Sequence, residues 1–306
     1  MKVAVVGTGA MGAVYAAMLA KAGNELWAID TWEQHLASIA HDGLSVSGAS
    51  GTYVVDGIQV GGEPDDAGPC DVWIVATKAH DVDGVMERIA PLLRVGDVVM
   101  PFQNGLGAGD RVARHIDRDQ IVIGIAEGFG SSIPAPGSVH HNGMRLIRIA
   151  EMSGGLTERV LGIEQSWRAA GFNVKAFDDV DRMVWEKFLC NVALSAPTAV
   201  FDVTVGELLS DPALWAVAIG CMLEAHSLAE ASGVSFSFED PVRYVSEFAA
   251  TIPDASPSMR LDYLARRRSE VDVINGQVVD RSRALGRSAP YNGAPGAVLR
   301  RRESGF

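Results

Sequence analysis

Cysteine is scarce. Cys70, Cys190 and Cys221 are the only three, none at CxxC spacing, and the odd count argues against a disulfide framework. Each is expected to pack as a small hydrophobe in a reducing cytoplasm. Positive charge is also in deficit: 26 Lys and Arg stand against 38 Asp and Glu, a formal net charge of -12. A chain this acidic repels phosphate backbones, so nucleic acid is not an expected partner. A small anion is still admissible where a local basic group receives it. No uninterrupted apolar run reaches the roughly 18 residues of a membrane span, and the N-terminus reads straight into the fold rather than as a signal peptide. HExxH, a cysteine–histidine cluster and GxSxG are all missing, which argues against a metal site and a hydrolase. His140 and His141 are adjacent in a strand or turn, where neighbours face opposite ways and make a poor metal pair. Internal repeats and low-complexity runs are absent.

What is present is a soluble, globular composition: 306 residues, 48% hydrophobic and 21% charged, enough for one large or two ordinary domains. Short β-branched runs at 2–6, 25–29, 71–76, 97–102 and 121–126 read as buried parallel strands. Helical stretches at 10–22, 32–41 (with Thr31 as N-cap) and 82–93 alternate with them, which predicts a doubly wound α/β sheet. Residues 45–60 alternate weakly, as in an extra hairpin, and 128–149 should add closing strands. Beyond about residue 175 the pattern changes. Helices are predicted over 179–196, 212–231, 242–251 and 261–285. The expected fold is therefore α/β, with an N-terminal Rossmann-type domain over 1–178 and an all-helical domain over 179–306. The charged tail 300–306 is expected to fray.

The first helix opens on G-T-G-A-M-G, directly after a strand. A lone GxGxxG is weak, but strand–loop–helix is the context it requires. Gly7 permits the tight turn, Gly9 lets backbone approach a pyrophosphate, and Gly12 lets helix and strand pack closely. Thr8, Ala10 and Met11 complete a loop whose free N–H groups face the phosphates. Asp30 stands 18 residues beyond Gly12, at the end of the second strand. There a carboxylate accepts from the adenosine ribose diol and repels a 2′-phosphate. Its neighbours A-I-D-T-W-E-Q supply no Lys or Arg. NAD is thus favoured over NADP, the competing reading of Asp30 being a plain turn aspartate.

Trp185–Phe201 reads WEKFLCNVALSAPTAVF. On a helix, Lys187, Asn191 and Ser195 share one face at i, i+4 and i+8. A cation and an amide among apolar neighbours could polarise a carbonyl, although spacing alone fits a solvated lysine as well. A further stretch, Ser256–Val279, reads SPSMRLDYLARRRSEVDVINGQVV. Together with the glycine loop, these stretches resemble the ketopantoate reductase (2-dehydropantoate 2-reductase) family over nearly the whole chain. The resemblance rests on Lys187 with Asn191, on Ala196-Pro197-Thr198-Ala199, on Ser258-Met259 with Asp262, and on Glu270 before Ile274-Asn275-Gly276. Lys78 in TKAHDV and Asn104 in QNG also match.

The resemblance implies an oxidoreductase in which NAD(P)H reduces C2 of a 2-keto acid, first of all ketopantoate, with the active site in the interdomain cleft. Lys187 would protonate the carbonyl oxygen. Asn191 and Glu270 would hold the hydroxyl end, Ser258 the carboxylate. Asn104 would serve substrate and nicotinamide, and Lys78 the cofactor environment. Ser195 replaces a second asparagine, and Asp30 replaces a basic residue for the 2′-phosphate. Both departures keep open an NAD-dependent D-2-hydroxyacid dehydrogenase for another branched or aromatic keto acid. A non-catalytic redox sensor is the reading of another class, and the joint presence of Lys187 and Glu270 speaks against it. Twelve helical residues span about 18 Å, so Ser258 and Glu270 cannot share one straight helix and serve one small substrate. Asp262 is expected to pair with a nearby arginine, and Arg266–Arg268 to form a solvated helix face. A homodimer through the helical half is compatible with the sequence, with no periodicity that demands it.

Overall fold

The computed structural model describes residues 1–306 and divides into two compact units. The first comprises Met1–Gln103 and Gly107–Val180, the second Asn104–Leu106 and Asp181–Phe306. In the first, β1 (Lys2–Val6) leads through the glycine loop into α1 (Ala10–Lys21), followed by β2 (Glu25–Ile29), α2 (Glu33–Asp42), β3 (Leu44–Gly48), β4 (Tyr53–Val55) and β5 (Gln59–Gly61). The chain continues with α3 (Pro64–Ala67), β6 (Val72–Val75), α4 (Val82–Ile89), β7 (Val98–Pro101) and α5 (Ala108–Val112). Then come β8 (Val122–Glu127), β9 (Gly130–Ala135), β10 (Ser138–Gly143), β11 (Leu146–Glu151), α6 (Glu158–Ala169) and β12 (Val174–Phe177).

The main sheet has the order β5-β2-β1-β6-β7, and every pairing in it is parallel. The continuous apolar run of β6, VWIV, is buried throughout, as a strand covered on both faces must be. A parallel bridge from Val99 to Ile121 carries the sheet direction on toward β8, which belongs to a second sheet, β12-β11-β8. The third sheet, β4-β3-β10-β9, differs from the hairpin expected over 45–60. β3 and β4 do pair antiparallel, but the left-handed Gly57 turns the chain so that β5 joins β2 at the edge of the main sheet. The core centres on Tyr15 of α1, whose ring lies 4.9 Å from Phe102 and 5.7 Å from Trp167. Helix α1 is buried from Gly12 to Leu19, which explains why its residues are small and apolar all round. The strand pleat puts His140 outside, bonded to Ser47, and His141 inside.

The second unit is helical: α7 (Val180–Phe201), α8 (Val205–Ser210), α9 (Pro212–Ala231), α10 (Pro241–Ala250), α11 (Ser258–Leu264), α12 (Asn275–Ala284) and α13 (Pro290–Glu303). Helix α7 runs five residues beyond the expected end, through Pro197. The single helix expected over 261–285 does not exist. It breaks after Leu264, where Arg266 turns left-handed at φ 53° and Arg267 folds back so that its guanidinium binds Asp262 at 2.9 Å. The Arg266–Arg268 run therefore lies in a turn and not on a helix face. The tail does not fray as expected, since Arg300 binds Asp272 at 2.7 Å and Arg302 donates to the Val200 carbonyl. By length and composition helix α9 is apolar enough to cross a membrane, although Glu224 interrupts its apolar run, as the sequence reading holds. Within this unit it packs against α8, α10, α12 and α13. Its Glu224 accepts from the backbone N–H groups of Tyr291 and Asn292 at the start of α13.

Candidate active site

The nucleotide-binding candidates lie in the first unit, where β1 meets α1. Gly7 adopts φ 88°, and a Cβ there would fall 2.6 Å from the Thr77 backbone nitrogen, so only glycine fits beside the turn after β6. A Cβ on Gly12 would sit 2.1 Å from the Gly7 carbonyl oxygen, which fixes the close helix–strand approach. At Gly9 a Cβ would meet nothing within 4 Å. The backbone there borders open space, the condition for a phosphate to approach. The Thr8 hydroxyl turns inward and donates to the Val5 and Ile29 carbonyls, leaving the backbone of the loop to serve a ligand. Ala10 and Met11 form the half-buried first turn of α1, which contains no acidic residue to compete with an anion. These features fit a dinucleotide.

Asp30 follows β2, which the Gly7 N–H binds through the Ile29 carbonyl, so glycine loop and carboxylate are brought together. Asp30 is half-buried, and its Oδ1 accepts from the Trp32 backbone N–H at 3.0 Å. This short-range bond starts the chain into α2 and displaces Thr31 from the expected N-cap: the cap residue is Trp32, with no side-chain cap bond. Lys78 is exposed in the turn after β6, where its carbonyl accepts from the Asp81 N–H. Gln103 was not anticipated. Its amide donates to the Val75 and Thr77 carbonyls at 2.8 and 3.0 Å and pins the end of β6 beside the glycine loop. The available signal was a polar residue placed directly after the apolar strand DVVMPF.

The carbonyl-handling candidates lie in the second unit. Lys187, Asn191 and Ser195 follow one face of the unbroken α7, the first two half-buried and the third buried. The Lys187 ammonium stands 5.3 Å from the Phe248 ring centroid, an apolar wall with a negative face that suits a cation. Asn191 is half-buried and Ser195 only 5% exposed. Asn104, a member of the tripeptide that packs with the helices, donates to Glu270 Oε2 at 3.2 Å. Gly105 holds that register, since a Cβ there would fall 2.0 Å from the Val273 carbonyl oxygen, and the Leu106 N–H donates to the same carbonyl. Glu270 lies between α11 and α12 rather than on a helix. Ser258 is exposed at the first position of α11, so the two do not share a helix. The resemblance implies no role for Asn275 itself. Fully buried, it donates to the Val192 carbonyl of α7 at 3.1 Å and to Asn292 at 2.8 Å.

Two family descriptions match the chain: "Ketopantoate reductase PanE/ApbA" over residues 3–154 and its C-terminal counterpart over 179–303. The chain belongs to the ketopantoate reductase family. It is similar to the 2-dehydropantoate 2-reductase of Halobacterium salinarum, 30% identical over 92% of both chains. It also resembles that of Archaeoglobus fulgidus, 28% identical over 100% of this chain and 99% of the relative. Among solved structures, a PanE/ApbA family ketopantoate reductase from Ralstonia eutropha superposes with a TM-score of 0.90 at 28% identity, covering 99% of each chain. A D-mandelate dehydrogenase solved with NADH and anilino(oxo)acetate shares the fold at TM-score 0.90 and 22% identity, over 100% of this chain and 99% of that one. This ketopantoate reductase family member is accordingly an oxidoreductase that uses a nicotinamide cofactor on a keto acid, which sets the redox-sensor reading aside.

Proposed function

We propose that this chain reduces 2-dehydropantoate to pantoate with NADH, in the cytoplasm. The observation that carries the substrate side is the hydrogen bond between Asn104 and Glu270. Two polar residues, each expected at the substrate and 166 positions apart, touch one another, and the amide leaves the second carboxylate oxygen open for a hydroxyl. Bound NADH supplies the hydride to the carbonyl carbon. Lys187 donates a hydrogen bond to the carbonyl oxygen and then a proton as negative charge develops there. Asn191, one turn along α7, holds a second substrate oxygen. Ser258 receives the carboxylate, and Glu270 orients the hydroxyl end. The cofactor preference rests on Asp30, whose side chain meets a backbone N–H and no cation. A carboxylate there accepts from a ribose diol and repels a phosphate.

A second reading, a D-2-hydroxyacid dehydrogenase for a bulkier keto acid, is favoured by Ser195, which is shorter than an amide and leaves room beside Asn191. A reductase assay decides, with NADH and NADPH each offered ketopantoate and a panel of branched and aromatic 2-keto acids. Highest kcat/KM with ketopantoate and NADH is expected. Preference for an aromatic keto acid would transfer the assignment to the second reading, and turnover with NADPH alone would remove Asp30 as the selector.

A further inference from the structure

Helix α2 begins with an arrangement that the reaction as derived does not use. Trp32 keeps 39% of its surface exposed, yet its indole is stacked on the ring of His35 at 5.0 Å between centroids and 14° between planes. His35 itself is fully buried. Its Nδ1 accepts from the Gly137 backbone N–H at 2.9 Å, which places the ring proton on Nε2 and prevents the ring from turning. Gly137 is left-handed at φ 72°, and a Cβ there would fall 2.6 Å from the Ser38 Cβ. Only glycine brings that N–H so close to the imidazole. Burial lowers the ring's pKa, with the Asp30 carboxylate and the Thr8 backbone acting in the opposite sense, so the imidazole is neutral at pH 7. Below the exposed indole therefore lies a second flat ring, uncharged and fixed in place.

Position gives this pair its meaning. Trp32 is two residues beyond Asp30, and the bond from its own N–H to Asp30 Oδ1 fixes the indole's backbone to the carboxylate. Thr8, whose backbone also acts on His35, belongs to the glycine loop. Phosphate loop, diol acceptor and stacked indole follow one another in the order of pyrophosphate, ribose and base. An isolated exposed tryptophan needs no explanation. One laid on a buried, immobilised imidazole, beside a carboxylate without a cation, has the form of a platform for a flat heteroaromatic ring attached to a diol. We propose that Trp32, seated on His35, is the stacking surface for the adenine of the dinucleotide, with His35 as the positioning residue that holds the indole flat. This rests on the dinucleotide reading of the glycine loop and Asp30, and it adds a base-recognition element to it.

The test uses the full-length protein and isothermal titration calorimetry, with ADP-ribose, 2′-phospho-ADP-ribose and reduced nicotinamide mononucleotide as separate probes. Loss of one base–aromatic stack corresponds to roughly five- to a hundredfold in affinity. Trp32→Ala should therefore weaken ADP-ribose on the order of tenfold or more, leave the mononucleotide unchanged because it has no adenine, and leave the melting temperature close to wild type. Trp32→Phe should recover most of the affinity. Trp32→Leu, which keeps the apolar contact without the π-face, should not, and this pair decides the matter if the alanine variant does not fold. His35→Ala should weaken ADP-ribose in the wild-type background and add nothing in the Trp32→Ala background. Unchanged ADP-ribose affinity in Trp32→Ala would overturn the platform and leave the cofactor reading intact. Tighter binding of 2′-phospho-ADP-ribose by the wild type, with both probes weakened equally in Trp32→Ala, would sink the NAD reading and keep the platform. Fully additive losses in the double variant would remove His35 from the role.

Discussion

At the scale of single residues, the proposed chemistry rests on a cation set against an aromatic ring. Lys187 is half-buried on α7 against the Phe248 ring. A hydrogen bond made in such surroundings to a developing alkoxide is stronger than the same bond in water, and it strengthens as the charge forms. Positioned general acids contribute about 10² to 10⁴ in rate. Lys187→Ala is therefore expected to lower kcat by about that factor while leaving the affinity for NADH, measured by calorimetry, within about twofold of wild type. A variant with wild-type kcat would exclude Lys187 as the proton donor. The row Lys187, Asn191, Ser195 was legible in the sequence because i, i+4 spacing is a local geometric rule. The Asn104–Glu270 contact was legible only as two separate expectations, since nothing in QNG or SEVDVING states that residues 166 apart will bond.

At the scale of elements, β1, β2, β6 and β7 of the main sheet were read closely, because a buried parallel strand writes itself as a short continuous apolar run, whereas the three-residue edge strand β5 was read as part of a hairpin. Helix ends were read less well, and the reasons differ from case to case. Helix α7 continues past the expected end because tertiary contacts outweigh the cost of Pro197, which removes a donor and crowds the carbonyl four residues back. Next to that weakened turn, Asn275 reaches across from α12 to the Val192 carbonyl, while the Thr198 hydroxyl binds the Leu194 carbonyl. The break between α11 and α12 was invisible because RRRSE contains neither glycine nor proline; the left-handed turn at Arg266 is accompanied by the Arg267–Asp262 pairing and not by turn chemistry. Asn275 joins α7, α12 and α13 in one buried network that continues through Asn292 to Glu224 of α9. Asn275→Ala strips the Asn292 carbonyl oxygen of this donor in the interior, and an orphaned buried acceptor costs about 1–3 kcal/mol beyond the bond itself. The expected outcome is a stability loss of about 2–4 kcal/mol by urea denaturation, larger than for the isosteric Asn275→Asp at a pH where that carboxyl is protonated. A loss below about 0.5 kcal/mol would show that the network is dispensable.

At the scale of the whole molecule, a net charge of -12 and a pI near 5.0 mean that acidification first relieves self-repulsion. Charge alone would make the chain more stable between pH 7 and 5. Two buried histidines oppose this. His35 is fully buried and His141 is 1% exposed, and burial lowers the pKa of both. With folded values below the ordinary value of about 6.5, the unfolded chain binds more protons as pH falls through that value. Stability from these two groups is therefore complete above about pH 6.5 and is lost as pH drops toward their folded values. Asp71 works in the same direction at lower pH. The Lys2 backbone N–H, with Arg94 in support, holds its carboxyl below the usual range, and that contribution persists until pH falls under about 4. The melting temperature, followed by calorimetry from pH 7.5 to 5, is thus expected to decline from about 6.5 downward, against the trend that net charge would give. His141→Gln, which cannot charge, should make that decline shallower, and the Asp71 contribution should be untouched by it. A melting temperature that rises steadily to pH 5 would mean that long-range repulsion, and not the two buried rings, governs how this chain responds to acid.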